Sequence, residues 1–242
     1  MIITEKCVGC RQCRPYCPVS AIGAASDGWR SVINEEKCVE CGTCLRSNVC
    51  PVNAIEAPDL VYPRSLRSQF SDVTSPHKST GVLGRGTEEM KTNDVTGRLR
   101  LGRVNVSVEL GRPGVSASLR DVEVIAQALA AFGVRFQKEN PVTSLMTDES
   151  QGTLRPEVLG ERVLSALIEF DIDENRVPAL AAMLKAAAGE VDTVFSVGLA
   201  APLRPDESEA RLFQILRDHD VWHRPNGKTN VGLGRPFQEA LE

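Results

Sequence analysis

The chain has 242 residues, of which 42% are apolar and 25% charged, and its formal net charge is −4. These values predict a soluble globular protein of two modules, or of one module with a large appendage, and they exclude wholesale disorder and a strongly basic nucleic-acid-binding surface. No apolar run reaches the roughly 18 residues of a membrane span, and charged Glu5 and Lys6 interrupt the apolar start. We therefore expect neither a membrane span nor a secretory signal, and a cytoplasmic protein.

The cysteines are confined to one end of the chain. All eight lie between Cys7 and Cys50, and the 192 residues that follow contain none. Thiols this dense in a reducing compartment favour metal ligation over disulfides. They form two copies of one unit, which read Cys7-x2-Cys10-x2-Cys13-x3-Cys17-Pro18 and Cys38-x2-Cys41-x2-Cys44-x5-Cys50-Pro51.

The spacing of the cysteines predicts two cubane [4Fe–4S] clusters. One loop with two-residue gaps supplies three thiolates, and the cysteine before proline ligates the cluster of the other run. The predicted ligands of cluster I are Cys7, Cys10, Cys13 and Cys50, and those of cluster II are Cys38, Cys41, Cys44 and Cys17. Zinc is the alternative, but four-cysteine zinc sites generally use two separated pairs and need neither the third cysteine nor the proline.

The cysteine motif of residues 1–60 resembles that of the bacterial two-[4Fe–4S] ferredoxins. One departure is the five-residue gap 45–49, where the plainest members have three residues. Extended patterns in this segment predict short strands that pair 1–4 with 54–57 and 21–22 with 32–33, the latter joined through the turn Asp27-Gly28. So few residues bury little surface, and we expect the clusters to act as the core.

Residues 61–97 predict an irregular connector that wraps over the rest of the protein. They contain proline, serine and glycine but also more apolar residues than a flexible tether needs. The segment 61–112 carries nine Lys/Arg against five Asp/Glu. Its glycines allow close backbone approach, so Arg85 and Lys91 are candidates for docking a partner. Pairing of this basic strip with the chain's own acidic residues is the equal alternative.

The glycine-rich run 81–97 lacks the order of a P-loop, so we do not expect nucleotide binding there. The head and connector are similar to the ferredoxin-containing family of 6-hydroxynicotinate reductases. That resemblance implies a reductive partner system, in an anaerobic pathway of N-heterocycle or aromatic degradation. It carries no catalytic motif onto particular residues of this chain.

Residues 98–203 show alternating strand and helix periodicity, and residues 204–242 add one amphipathic helix and a tail. The order predicts a βαββαβ ferredoxin-like sandwich, which makes the whole chain α+β. The predicted elements are strands over 104–110, 134–146, 164–172 and 193–199, and helices over 122–132, 177–184 and 212–216.

Part of this predicted sandwich resembles an ACT domain. The matching residues are the run from Val108 to Val115 at the first strand–helix junction, and Phe132-Gly133-Val134 after the helix. The resemblance implies amino-acid binding and a homo-oligomer formed through this domain. ACT domains usually offer an acidic residue where Gly111 stands, and the loop 116–120 is long, so the ligand-binding feature departs from the family pattern.

Three functions follow from these features. The first is an electron-transfer component that passes low-potential electrons to a partner flavin or metal reductase, because the chain shows no catalytic acid, base or nucleophile and the cofactor would carry the chemistry. The second is an amino-acid or redox sensor of ACT type. The third is a reductase active on its own. A co-purifying flavin subunit, a thermal shift with amino acids, or turnover by the chain alone would separate them.

Overall fold

The computed structural model describes residues 1–84, 99–112, 114–203 and 209–224. Helices and strands are both present, as the predicted α+β class requires. None of the helices within these ranges has the length and apolar character that crossing a membrane requires.

The head, defined as residues 1–60, contains two small antiparallel strand pairs. Both predicted pairings are confirmed, with strands shorter than expected in the first pair and one residue longer in the second. The pairs are β1 (Ile2–Ile3) with β4 (Ile55–Glu56), and β2 (Ile22–Ala24) with β3 (Ser31–Ile33). Between them lie a 3-10 turn (Arg14–Tyr16) and helix α1 (Thr43–Arg46).

The turn between β2 and β3 is formed by the predicted residues Asp27 and Gly28. The Asp27 carboxylate accepts hydrogen bonds of 3.0 Å from the backbone N–H groups of Trp29 and Arg30. Gly28 adopts a φ of +76°, which a residue with a side chain rarely adopts. Local turn chemistry therefore sets the register of β2 against β3.

The prediction of an irregular connector is wrong over residues 65–71, which form helix α2 (Ser65–Ser71). Leu66 and Phe70, one helical turn apart, are buried in the hydrophobic core that residues from Val104 onwards form. The Ser71 hydroxyl also accepts a hydrogen bond of 2.8 Å from the backbone N–H of Leu164. So short a helix is unstable alone, and tertiary packing decides its conformation. Residues 85–97 lie outside the described part.

His77 follows α2 and is buried without a charged partner among the described residues. Its ring packs edge-on against Phe70 at 4.7 Å between centroids, and its Nδ1 lies 2.8 Å from the Ser79 hydroxyl. Burial lowers the pKa of His77 from 6.5 to about 4. The folded protein therefore keeps this imidazole neutral under mildly acidic conditions.

The free energy of unfolding is expected to fall by about 1 kcal/mol between pH 7.5 and 5.5 because of His77. Over this range the unfolded chain, whose histidine titrates near 6.5, takes up a proton that the folded protein does not bind. Anaerobic thermal denaturation at the two pH values measures the loss. His77→Gln should reduce the pH dependence, whereas the matched change at exposed His219 should leave it as in the wild type. Equal pH dependence in the wild type and His77→Gln would contradict this expectation.

The body, residues 98–203, is built on a three-stranded antiparallel sheet whose central strand is the one over residues 103–110. Its strands are β5 (Arg103–Leu110), β10 (Ala166–Asp173) and β11 (Phe195–Ala200). Val108 on the central strand pairs with Ile168 on one side and Val197 on the other. Val104, Val106, Val108 and Leu110 are fully buried, as the predicted periodicity requires, but the polar residues between them, Asn105, Ser107 and Glu109, are also buried, at 7–8% exposure.

The helices of the body also follow the predicted pattern. Helix α3 (Leu119–Ala131) begins with a capping box in which the Ser118 and Asp121 side chains bond each other's backbone N–H groups. Helix α4 (Val177–Ala187) is the second helix of the body, and α5 (Arg211–Asp218), which follows the body, is the predicted C-terminal helix. Further strand pairs are short: β6 (Ala117–Ser118) with β9 (Arg162–Val163), and β7 (Met146–Asp148) with β8 (Thr153–Leu154).

The predicted second strand of the sandwich, over 134–146, is wrong. A single antiparallel bridge from Phe136 to Phe170 remains of it, next to β10. Residues 143–145 form a 3-10 turn instead. The buried side chain of Asn140 explains the change, because its amide donates to the Leu167 carbonyl at 3.0 Å and replaces the backbone pairing there. A four-stranded sandwich is therefore not complete in the described ranges.

Candidate metal centres

Two cavities in the head collect all eight thiols. The empty space in the first is about 310 Å³ and in the second about 300 Å³, and both values include solvent at the open side of the cavity. The cysteine before proline in each run lines the cavity of the other run. The first cavity is lined by Cys7, Cys10, Cys13 and Cys50, and the second by Cys17, Cys38, Cys41 and Cys44.

The two cysteine runs share a backbone pattern that turns the thiols inward. Left-handed residues occur at equivalent positions of the two copies: Gly9 and Glu40, Arg11 and Gly42, and Ser20 and Asn53. Gly9 is required for a second reason, since a Cβ there would lie 2.7 Å from the Trp29 ring. The longer gap of the second run contains one more such residue, Asn48. The extra residues therefore fold into a turn before Cys50.

Donors surround the sulfur atoms. The backbone N–H groups of Ala21 and Ala54, equivalent in the repeat, donate to the sulfurs of Cys17 and Cys50 at 3.1 and 3.2 Å. The backbone N–H of Ser31 donates to Cys7 at 3.4 Å, and the Thr43 hydroxyl lies 3.3 Å from the sulfur of Cys41. Hydrogen bonds to sulfur stabilise thiolate ligands and tune the potential of an iron–sulfur centre.

The two cavities differ in exposure. Cys10 in the first cavity is exposed, whereas Cys38, Cys41 and Cys44 in the second cavity are buried. Burial raises the pKa of Cys44 to about 11 and raises that of Cys38 as well. These thiols must release protons to ligate a metal, so metal binding and deprotonation are coupled.

Arginines hold the second cysteine loop in place. The buried Arg67 of α2 donates to the Cys38 carbonyl at 2.7 Å and forms an ion pair with Glu161 of the body. Arg46 donates to the Cys41 carbonyl at 2.7 Å. Arg64 pairs at 2.6 Å with Glu40, whose side chain is fully buried.

Sequence reasoning missed these contacts: the basic charge of segment 61–112 pointed to two of the three arginines, and Arg46 lies outside that segment. Arg64 and Arg67 both belong to the predicted basic strip, so part of its charge is neutralised within the chain. The candidate docking residues Arg85 and Lys91 lie outside the described residues.

The thiols suit a multi-iron cluster. Four thiols line each of the two cavities, and a cubane takes one thiolate at each of four separate irons. The buried hydroxyl of Ser31, without a hydrogen-bond partner among the described residues, also lines the first cavity.

The junction between β5 and α3 has no room for a side chain at position 111. Gly111 has a φ of +83°, and a Cβ there would lie 2.8 Å from the Leu164 carbonyl oxygen. The acidic residue that ACT domains usually offer cannot occupy this position without moving the backbone.

Known proteins resemble the cysteine-rich part of the chain. Residues 1–23 match the family model of the 4Fe-4S binding domain. Ferredoxin-3 of Chlorobaculum tepidum is 48% identical over 48 residues, which are 20% of this chain and 74% of that protein. Ferredoxin-2 of the same organism is 42% identical over 59 residues, 22% of this chain and 89% of that protein. Pyruvate synthase subunit PorD of Thermotoga maritima is 44% identical over 52 residues, 22% of this chain and 50% of that protein.

The thiol-lined head and these similarities define an iron–sulfur protein. Through its N-terminal residues the chain belongs to the ferredoxin family, and its chemistry is ferredoxin-type electron transfer with a 4Fe–4S cluster. The predicted iron–sulfur chemistry is thereby confirmed. The similarities to these relatives cover about a fifth of the chain.

Proposed function

We propose that the chain is an electron carrier with two [4Fe–4S] clusters that delivers single low-potential electrons to a partner flavin or metal reductase. The observation that carries the proposal is the gathering of four thiols, three from one run and one from the other, around each of two cavities. Cluster I takes Cys7, Cys10, Cys13 and Cys50, and cluster II takes Cys38, Cys41, Cys44 and Cys17.

When bound, each cluster supplies a centre that gains and loses one electron. The residues of this chain supply the environment of that centre. Eight thiolates would hold the irons, and three backbone N–H groups and the Thr43 hydroxyl would donate to their sulfurs. Both cavities are lined mainly by apolar side chains, and the hydrophobic shell around a site affects a cluster's potential.

A partner protein is part of the proposal. One relative is named as a subunit of pyruvate synthase, which supports the role of a component that works with other chains. A reductive system for N-heterocycles or aromatic compounds, in the cytoplasm, is the setting that the reductase resemblance favours. The body, joined to the head through α2, is the candidate surface for assembly with such a partner.

Anaerobically purified protein is expected to contain about eight irons and eight labile sulfides per chain, as two cubanes require. Colorimetric iron and sulfide analysis measures both, and reduction should give the spectra of two one-electron centres. Removal of the metal by a chelator should also lower the melting temperature, because the head has little apolar core of its own. Four irons per chain, or zinc after anaerobic reconstitution, would contradict the proposal.

A further inference from the structure

Strand β3 forms a wall shared by the two cavities. Its exposed middle residue, Val32, is flanked by two buried residues that point to the opposite face. Ser31 lines the first cavity and Ile33 lines the second. One strand therefore presents a hydroxyl to one cluster site and a hydrocarbon side chain to the other.

The Ser31 hydroxyl is buried without a partner of its own. The residue is 4% exposed, and its Oγ has no hydrogen-bond partner among the described residues. Leaving a buried hydroxyl unpaired is unfavourable because the group has lost its hydrogen bonds to water, so an acceptor inside the cavity is expected. The Cys13 sulfur is within reach of this hydroxyl: burial raises the pKa of the Cys13 thiol and a side-chain interaction with Ser31 lowers it in part, although the geometry of that interaction falls short of a hydrogen bond.

The backbone of Ser31 is already directed at the same site. Its N–H donates to the sulfur of Cys7 at 3.4 Å, and pairing with Ala24 in the β2–β3 ladder holds the residue in place. Ser31 thus stands beside two thiols of one cavity with both its backbone and its side chain. Ile33, two residues on, contributes no polar side-chain atom to the second cavity.

We propose that the Ser31 hydroxyl donates a hydrogen bond to a sulfur of cluster I and thereby raises the reduction potential of cluster I alone. A donor favours the reduced cluster because reduction adds negative charge to the sulfurs. Ser31 is a positioning and tuning residue, since it is not a ligand. The inference rests on the proposed occupation of the head by two clusters.

The potentials of the two clusters also depend on other groups. The arginines near cluster II are cationic, but Arg46, Arg64 and Arg67 are paired with the carboxylates of Asp72, Glu40 and Glu161. Their pairing reduces their net field at the cluster. The hydroxyl at position 31 remains a difference that a single substitution can remove.

Threonine and valine have nearly the same shape, so exchanging them isolates the hydroxyl at each position. Ser31→Thr and Ser31→Val are compared with each other, and Ile33→Thr and Ile33→Val form the reciprocal pair. Both residue types favour strands. Ser31→Ala is the replacement for Ser31→Val if the larger side chain prevents cluster insertion, because alanine fits wherever serine does.

Anaerobic redox titration followed by electron paramagnetic resonance measures the two midpoint potentials, with iron content measured for every variant. Ser31→Val should lower one midpoint relative to Ser31→Thr, so that the equilibrium constant for electron uptake at that cluster falls about tenfold. The other midpoint should not move. Ile33→Thr should raise that other midpoint relative to Ile33→Val.

Equal midpoint potentials in Ser31→Val and Ser31→Thr would overturn the inference, as would an equal shift of both midpoint potentials in Ser31→Val. A shift of the same midpoint potential by both pairs of variants would overturn it too. If the wild type holds four irons and shows one wave, the two-cluster proposal has failed. The Ser31 pair then still decides whether the hydroxyl acts on the cluster that is present.

Discussion

Cys50→Ala is expected to disrupt cluster I and to leave cluster II in place, although Cys50 belongs to the cysteine run of cluster II. The reason is that its sulfur lines the cavity of Cys7, Cys10 and Cys13. Cys17→Ala should have the reciprocal effect, because Cys17 lines the cavity of the second run. Iron content should fall from about eight to about four per chain when one cubane is lost.

The controls for this experiment are variants within the loops. Cys7→Ala should give the same residual spectrum as Cys50→Ala, and Cys38→Ala the same as Cys17→Ala. Electron paramagnetic resonance of the reduced proteins compares the spectra. If Cys50→Ala instead resembled Cys38→Ala, each run would ligate its own cluster, and the crossed assignment would be wrong.

Arg67→Met is expected to lower the free energy of unfolding by about 3–5 kcal/mol, the usual cost of removing one partner of a buried ion pair. The substitution leaves Glu161 without its partner. It also removes the donor that binds the carbonyls of Glu35 and Cys38 at 2.8 and 2.7 Å. Cluster II should therefore be lost faster to a chelator than in the wild type, because the loop that carries its thiols is no longer held.

Two variants control for charge and for the loss of an arginine as such. Arg67→Lys keeps the charge but not the planar arrangement of donors. Its free energy of unfolding should lie between those of the wild type and Arg67→Met. Arg120→Met removes an exposed arginine from α3 and should change stability by less than about 0.5 kcal/mol. Anaerobic denaturant unfolding and the time course of iron release test all three. An Arg67→Met protein as stable as Arg120→Met would refute the role of this contact.

The features that the sequence alone determined are those encoded over a few neighbouring residues. The two-residue gaps between cysteines and the left-handed residues inside them are local, so the loops that carry the thiols could be predicted. The turn at Asp27 and Gly28 and the alternating residues of β5 are local in the same sense. Helices α3, α4 and α5 were predictable because one face of each is apolar along its whole length.

Only the tertiary structure decided the features that depend on partners distant in the chain. Residues 65–71 are too short and too polar to predict a helix, and they form α2 because Leu66 and Phe70 enter the core of the body. The pattern of residues 134–146 predicts a strand, but at the edge of β10 the Asn140 side chain, and not a backbone N–H group, donates to a backbone carbonyl. The contact of Arg67 with Cys38 and Glu161 spans 29 and 94 positions. No local pattern encodes such pairs, since their free energy arises only when the folded chain brings the partners together.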